Sequence, residues 1–541
     1  MLEAVLAAME RTKLTVASIL VGVGLVSFIR SMLEALEAPT TTGYFPLDPF
    51  TLVHYFLFYL AAYLLLALVL TSFVEKRNAA AAALLAGLPL LWLPPIIDFV
   101  VSGGSGFRMT YLFVEPAQLL LAFLTFGGPL SDTGVTIGIR VEFVLALLFV
   151  GYYVYRATRS IARGLVAAVS AYIVMFALVA LPSILYGVYL LLPGAASIGP
   201  VAFLAEALRS SAVDTNALPA VFATTTALVA FELGFNKVLS LLCAVLIAVA
   251  APLLALRLAP GAVGAHFANS RPTRVLNYVA LLAIGALAAL KAGVLPGWLD
   301  VFAGLVLVLS WYAAWMFAVC VNDIADEDID RISSPERPLI SNTLSRASLN
   351  ESGYAFLTFS LLGAWSVGYY PFIFLLAFTA AYYVYSAPPL RLKRVPGLAS
   401  ALIALASLFT VLAGWFLLAT GPHDVLSPLV FAGFVICFAL GVNVRDLKDI
   451  DGDAAAGIAT LPTIISKRFG RQAAFHITGA VLALAFLLTP LFFPVRNLLL
   501  AAVPVAVFAY LACIRKPYQE HLVALVCFIF FISSLFLYID G

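Results

Sequence analysis

The sequence predicts an all-α, polytopic membrane protein: a nine-helix transmembrane bundle over residues 265–541, preceded by an N-terminal membrane domain of six to eight helices over residues 1–258. Three observations carry that expectation. Of 541 residues, 63% are hydrophobic and only 11% charged, and mean hydropathy is +1.07; soluble domains carry roughly 25% charged residues. A water-soluble chain must cover much of its outside with polar groups and has no place to hide so much apolar surface. The apolar residues come in runs of about 20, the length of a spanning helix. Between the runs, Lys and Arg fall in a one-sided pattern.

The first residues, MLEAVLAAMERTK, carry acids and lack a basic start, and no small-residue cleavage site follows the apolar run near 14–29. No cleaved signal peptide is expected, so the first helix stays. Spans are expected at 14–36, 50–73, 78–100, 139–157, 164–192 and 236–257. Two further stretches, 111–127 and 217–233, leave the number open. If they are re-entrant or interfacial, six spans place Arg11, Lys13, Lys76, Arg77, Arg156, Arg159 and Arg163 inside and leave Arg108, Arg140 and Arg209 outside. If both span, there are eight; the Arg156–Arg163 cluster then falls outside, while Arg140 and Arg209 move inside. Charge favours six. Either even number delivers Arg271 to the side of the N-terminus. Asp98, after Pro94-Pro95-Ile-Ile, and Glu115 lie in apolar runs. Intramembrane acids are candidate functional groups; the competing expectation is helix-end or loop acids facing water. The Ser102-Gly-Gly-Ser-Gly106 segment is a flexible turn and not a phosphate loop, since no G-K-[ST] follows. This half has room to bind or present a lipid, scaffold a partner, or do separate work.

The stretch 258–274, LAPGAVGAHFANSRPTR, is short and rich in Gly, Pro and small residues, which marks a domain joint. Nine apolar segments follow, at 275–293, 300–320, 351–368, 370–386, 398–420, 426–443, 473–492, 497–513 and 521–539. From residue 258 onward there are 17 Lys and Arg, and this threading puts 15 on one side and only Lys291 and Arg496 on the other. The charged side is expected to be cytoplasmic, with the C-terminus opposite. The five cysteines, Cys243, Cys320, Cys437, Cys513 and Cys527, sit in apolar runs without a C-x-x-C pair and read as buried small hydrophobes. A net charge of +2 provides no concentrated basic face for nucleic acid.

Two segments carry chemistry. The first is Asn322-Asp323-Ile-Ala-Asp326-Glu-Asp-Ile-Asp330, at the end of the second C-terminal span; the other is Asp446-Leu-Lys-Asp449-Ile-Asp-Gly-Asp453, at the end of the sixth. Both have acids at i, i+3 and i+7, which at about 100° per residue fall within about 60° on one face of a helix. In each of the three pairs the positions differ by 123 (446 − 323, 449 − 326, 453 − 330). Two triads facing each other near a membrane repel unless paired, hydrated or bound to a cation. Mg²⁺ takes such oxygen ligands and typically adds substrate phosphate oxygens to them, so a diphosphate is the expected ligand. Solvated helix ends explain one such acidic segment well, but not two of identical spacing on one side of one bundle. Basic clusters share that side: Arg331-Ile-Ser-Ser-Pro-Glu-Arg337-Pro-Leu, and Tyr385-Ser-Ala-Pro-Pro-Leu-Arg391-Leu-Lys393-Arg394. Gly457-Ile-Ala-Thr-Leu-Pro follows the second triad and ends its helix.

Taken together, the N-D-x-x-D-x-x-x-D and D-x-x-D-x-x-x-D motifs, the R-P-L at Arg337, the Y-S-x-P-P-x-R-L-K segment and the D-G-D-x-x-x-G-x-x-T-L-P stretch resemble the UbiA superfamily of intramembrane prenyltransferases, over about residues 265–541. The resemblance implies a Mg²⁺-dependent polyprenyltransferase, a transferase of alkyl groups other than methyl. Two Mg²⁺ ions would lie between Asp323, Asp326, Asp330 and Asp446, Asp449, Asp453 and hold the diphosphate of a polyprenyl donor. Asn322 would help fix metal or phosphate, Lys393 and Arg391 would contact diphosphate together with Arg337, Tyr385 would face the allylic cation, and Arg271 would lie near the acceptor. The acceptor would be a lipid, quinone precursor or aromatic ring within the membrane. Two departures stand out: Ile-Ser-Asn342-Thr follows Arg337-Pro-Leu where family members often have Ser-Gly, and the first motif has extra acids, Glu327 and Asp328. Two readings compete. A transporter or channel would use the acids as a cation pathway, but such sites lie near the bilayer midplane on broken helices, not at helix ends. A non-catalytic scaffold would be expected to lose motif acids, and none is lost.

Overall fold

The computed structural model describes residues 2–37, 48–104, 111–129, 135–193, 227–294, 296–419, 428–455, 457–492 and 498–520, with scattered residues between 195 and 203 and between 522 and 530. Among these, every regular element is a helix, and eleven helices are long and apolar enough to cross a membrane. The chain divides into two compact units: Met1–Val263 with Gly297–Val306, and Gly264–Pro296 with Leu307–Gly541. Arg108, Arg209, Arg496, the 217–226 part of the ambiguous stretch and the end of the expected last span lie outside the described residues.

The first unit contains α1 (Leu2–Glu10), α2 (Val16–Glu37), α3 (Pro49–Phe73), α4 (Arg77–Gly87), α5 (Leu93–Val101), α6 (Leu119–Leu124), α7 (Ile137–Thr158), α8 (Ile161–Val179), α9 (Leu181–Leu190) and α10 (Ala227–Leu258). Asp48 caps α3, accepting from the Phe50 and Thr51 amides at 2.8 and 3.0 Å, with Pro49 at the first position where its missing N–H costs nothing. Two expected spans are interrupted. The 78–100 run is α4, a 3₁₀ turn over Leu88–Trp92 and α5, broken at the prolines, and the 164–192 run breaks at Ala180 before Pro182. The 111–127 stretch is not a spanning helix: it runs extended to Glu115, and only the short α6 follows. Asp98 is fully buried, correcting the expectation of a water-facing acid, whereas Glu115 is exposed.

The rest of the chain forms α11 (Pro260–Ala268), α12 (Pro272–Lys291), α13 (Trp298–Ala325), α14 (Glu327–Ser333), α15 (Arg346–Val367), α16 (Tyr369–Ser386), α17 (Leu398–Trp415), α18 (Pro428–Gly441), α19 (Ile450–Ala455), α20 (Leu461–Phe469), α21 (Arg471–Phe492) and α22 (Leu498–Ile514), all in the second unit except the starts of α11, to Val263, and of α13, to Val306. Eight of the nine expected segments thus carry a long helix. Two features place the site. Backbones of α12 and α17 touch: a Cβ on Gly285 would lie 1.9 Å from the Val411 carbonyl, and one on Gly414 2.0 Å from that of Leu282. Small residues permit such approach where lipid gives no hydrophobic drive to helix association. Buried indoles on α13 then pin the neighbours, Trp311 donating to the Thr410 hydroxyl (3.0 Å) and Trp315 to the Ser270 carbonyl (2.9 Å).

Candidate active site

The acids of the first motif come from two elements. Asp323 ends α13, and Asp326 sits at the turn that opens α14, which carries Asp330. The second motif departs further from the single helical face expected of it. Val442–Leu447 is a 3₁₀ turn holding Asp446, Asp449 lies in a bend, and α19 carries Asp453. The tighter turn is visible in the Asp449 amide, which bonds the Asp446 carbonyl three residues back at 3.2 Å. The triads still face one another, because α14 packs against α19.

Four basic side chains already engage the first motif. Arg337 donates to Asp323 (2.9 Å) and Asp330 (2.6 Å), and Arg271 to Asp323 (3.0 Å). Arg391 donates to Asp326 (2.6 Å) and to the Ala325 carbonyl (2.9 Å), and the Lys393 ammonium contacts both oxygens of Asp326. Arg271 and Arg391 both have left-handed backbones, φ 53° and 43°, a costly conformation for a residue with a Cβ that persists only where the surroundings impose it. Trp315 on Ser270 and Arg391 on Ala325 are those surroundings. Burial lowers the Lys393 ammonium, opposed by Asp326.

The second motif is different. Among the described residues, no ion pair reaches Asp446, Asp449 or Asp453; the nearby Lys448 instead binds Glu520 at 2.7 Å, and Arg471 binds Asp451. Asp453 is pushed up to about 7 by burial and by the charges of Asp446 and Asp449, and Asp449 is raised by burial. Asp330 is likewise raised to about 7 by burial, with Arg337 opposing. Six carboxylates therefore meet four cations, an excess of two negative charges when all are ionised. No three acids, His or Cys converge on one point as a closed cage among the described residues. The donor set fits an ion that takes only a few carboxylates and fills its shell from substrate phosphate and water.

Of the remaining predicted residues, Asn322 accepts from the Ser386 hydroxyl at 3.2 Å, and the Tyr385 ring lies 6.2 Å from that of Tyr382. The two departures have physical explanations. Asn342 has φ 58°, a left-handed position that Asn tolerates best after Gly. The extra Glu327 is bound by Arg331 (2.8 Å) and Arg346 (3.0 Å), outside the triad. Two residues escaped sequence reasoning. Asn269 is buried and donates to Asp323 at 2.6 Å, and Arg274 reaches Glu520 at 3.5 Å while its charge acts on Asp446 and Asp449. Their signal was the polar run Asn-Ser-Arg-Pro-Thr-Arg at the start of an apolar helix.

Residues 278–535 match the model of the UbiA prenyltransferase family. Digeranylgeranylglyceryl phosphate synthase of Thermococcus kodakarensis is 29% identical over 164 residues, covering 30% of this chain and 55% of that protein. The bacteriochlorophyll synthase 33 kDa chain of Rhodobacter capsulatus is 30% identical over 177 residues, covering 32% and 58%. The chain spans about half the length of these curated relatives. The structure of a UbiA homolog from Archaeoglobus fulgidus bound to GPP and Mg²⁺ aligns with a TM-score of 0.41 at 19% identity, covering 51% of this chain and 98% of that one.

Proposed function

We propose that the second unit, whose residues 278–535 match the model of the UbiA prenyltransferase family, transfers a polyprenyl group from a polyprenyl diphosphate to a lipid, quinone-precursor or aromatic acceptor within the membrane. The observation that carries the reading is the meeting of two acidic triads with Arg271, Arg337, Arg391 and Lys393. Asp323, Asp326, Asp330, Asp446, Asp449 and Asp453 are the residues that would hold Mg²⁺, two ions as the family resemblance implies. When bound, Mg²⁺ supplies positive charge that stabilises the departing diphosphate. The four bases bind the diphosphate oxygens by exchanging carboxylate partners for phosphate, so charge is in place before the bond breaks. As the C1–O bond breaks, its electron pair leaves on diphosphate. The Tyr385 ring face stabilises the allylic cation, and an acceptor carbon or oxygen bonds C1 and gives up its proton. The loops bearing Arg337 and Arg391–Arg394 exclude water, which would otherwise quench the cation. The charged side of this unit is assigned to the cytoplasm on the positive-inside rule, and transfer is assigned to 265–541, with 1–258 a separate transmembrane domain.

The test is a product assay by mass spectrometry: purified full chain, Mg²⁺, geranylgeranyl diphosphate and a panel of acceptors, with Asp323→Ala and Asp446→Ala as controls. A prenylated product with diphosphate release, lost in both variants, supports the reading and names the acceptor class. Neither product nor diphosphate across several donor lengths, in a well-folded sample, overturns it.

A further inference from the structure

The first unit has its own buried charge. Arg30 on α2 is 3% exposed, Glu142 on α7 9% and Asp98 on α5 0%, all within membrane-length segments. Arg30 holds Glu34 through Nε at 2.5 Å, reaches Glu142 only at 3.5 Å, and donates to the Leu91 carbonyl. That carbonyl belongs to the 3₁₀ break between α4 and α5. Glu34 also accepts from the Tyr55 hydroxyl, so one carboxylate of the cluster has two donors and the other a single long contact. Asp98 accepts from the Gly138 amide at 2.8 Å, while its Oδ2 is buried without a partner. Gly138 is one turn before Glu142 on α7, and a Cβ there would lie 2.3 Å from the Pro94 carbonyl and 2.8 Å from Asp98 Oδ2. Only glycine lets the broken helix bring Asp98 onto this face.

One guanidinium cannot neutralise three carboxylates, and buried charge without a partner is costly. A metal cation would need several oxygens converging on it, and no such group exists among the described residues. Among the described residues Arg30 is the one base paired with Glu142, and only at 3.5 Å, which leaves a proton as the way to neutralise that carboxylate. We propose that the first unit contains an intramembrane proton-binding site, with Glu142 as the seat of an exchangeable proton, Asp98 of α5 held against the same helix through Gly138, and Arg30 as the switch. With Glu142 protonated, Arg30 stays on Glu34, as seen; when the proton leaves, Arg30 moves toward Glu142. The groups facing Glu142 are Arg30 and Glu34 from α2 and Tyr59 from α3. The site is independent of prenyl transfer.

The experiment is infrared difference spectroscopy of the full chain in lipid nanodiscs, titrated from acid to alkaline pH and repeated in D₂O. A protonated-carboxyl C=O band that titrates, shifts in D₂O and is lost in Glu142→Gln, but unchanged in Asp451→Asn at the protein surface, supports the site. Glu34→Gln provides a second variant should the first not fold. It frees Arg30 to pair with Glu142, so the same band should disappear. Asp330 and Asp453 are also raised to about 7 and contribute carboxyl bands of their own, so the readout is the double difference between unaltered protein and variant: no titrating, D₂O-sensitive carboxyl component removed by folded Glu142→Gln, or one that folded Glu34→Gln leaves in place, overturns the proposal.

Discussion

The two acidic triads have the same spacing and opposite electrostatics. Asp323, Asp326 and Asp330 are covered by four bases and by Asn269, whereas Asp446, Asp449 and Asp453 have no cation bound among the described residues. The sequence makes them look equivalent, but the chain has balanced one and left the other in mutual repulsion. The difference assigns them different work. Under the proposed function, the first triad would store the bases that a diphosphate claims, and the second would keep oxygen ligands open for a cation.

The largest expected effect breaks that comparison directly. Asp323→Asn and Asp446→Asn should each cost on the order of 10³-fold or more in kcat/KM, since both remove charge that acts on the leaving diphosphate. Their stabilities should diverge. Losing the Asp323 carboxylate leaves Arg271 and Arg337 underpaired and should destabilise by about 1–3 kcal/mol. Losing Asp446 relieves repulsion and should be neutral or stabilising in the absence of Mg²⁺. Denaturant titrations showing equal losses for both would refute the asymmetry. Lys393→Met should rank next, at about 10²-fold in transfer, because Arg391 still covers Asp326; an unchanged KM for donor would show that Lys393 does not touch the diphosphate.

Why these residues were readable, and their asymmetry was not, follows from range. The triads, Arg337, Arg391 and Lys393 lie in short contiguous segments, and hydropathy set the helices that present them. Ion pairing joins residues far apart: Asn269 reaches Asp323 across 54 positions and Lys393 reaches Asp326 across 67. No local pattern encodes that. The helical-face argument failed for Asp446–Asp453 because it assumes α geometry, and Val442–Leu447 winds as a 3₁₀ turn. Hydropathy read the 78–100 run as a span, and Arg77–Val101 is long and apolar enough to be one, but it could not show the 3₁₀ turn over Leu88–Trp92 within it or the burial of Asp98 beyond that turn.

Proton competition sharpens the comparison at smaller amplitude. Asp453 and Asp330 titrate near 7 in the folded protein against an ordinary 3.8. Between those values the folded state binds more protons than the unfolded one, so Mg²⁺-free stability should fall as pH rises from about 4 through about 7. Mg²⁺ requires the ionised carboxylates, so its stabilisation should run the other way and appear as pH rises through about 7. Thermal melts with and without Mg²⁺ read both slopes, and Asp453→Asn should flatten each. A Mg²⁺-induced shift in Tm that does not vary with pH would detach the second triad from metal binding.

The smallest informative effect concerns Asn269, the one neutral side-chain donor on the first triad among the described residues. Its amide holds Asp323 Oδ2 while Arg271 and Arg337 hold Oδ1. If the bases are stored on Asp323 for transfer to phosphate, that carboxylate must keep its orientation when they leave, and Asn269 is the donor that remains. Asn269→Ala should therefore lower kcat by about tenfold, the value of a single hydrogen bond to a charged group, with little change in donor KM. Arg346→Ala sets the baseline: its pair with Glu327 is more than half exposed on the arginine side, and such a contact is worth at most about 1 kcal/mol. It should leave transfer unchanged. Equal small losses in both variants would mean that Asn269 only packs against Asp323, whereas a loss confined to Asn269→Ala would make it the residue that holds the first triad in place while its cations change partners.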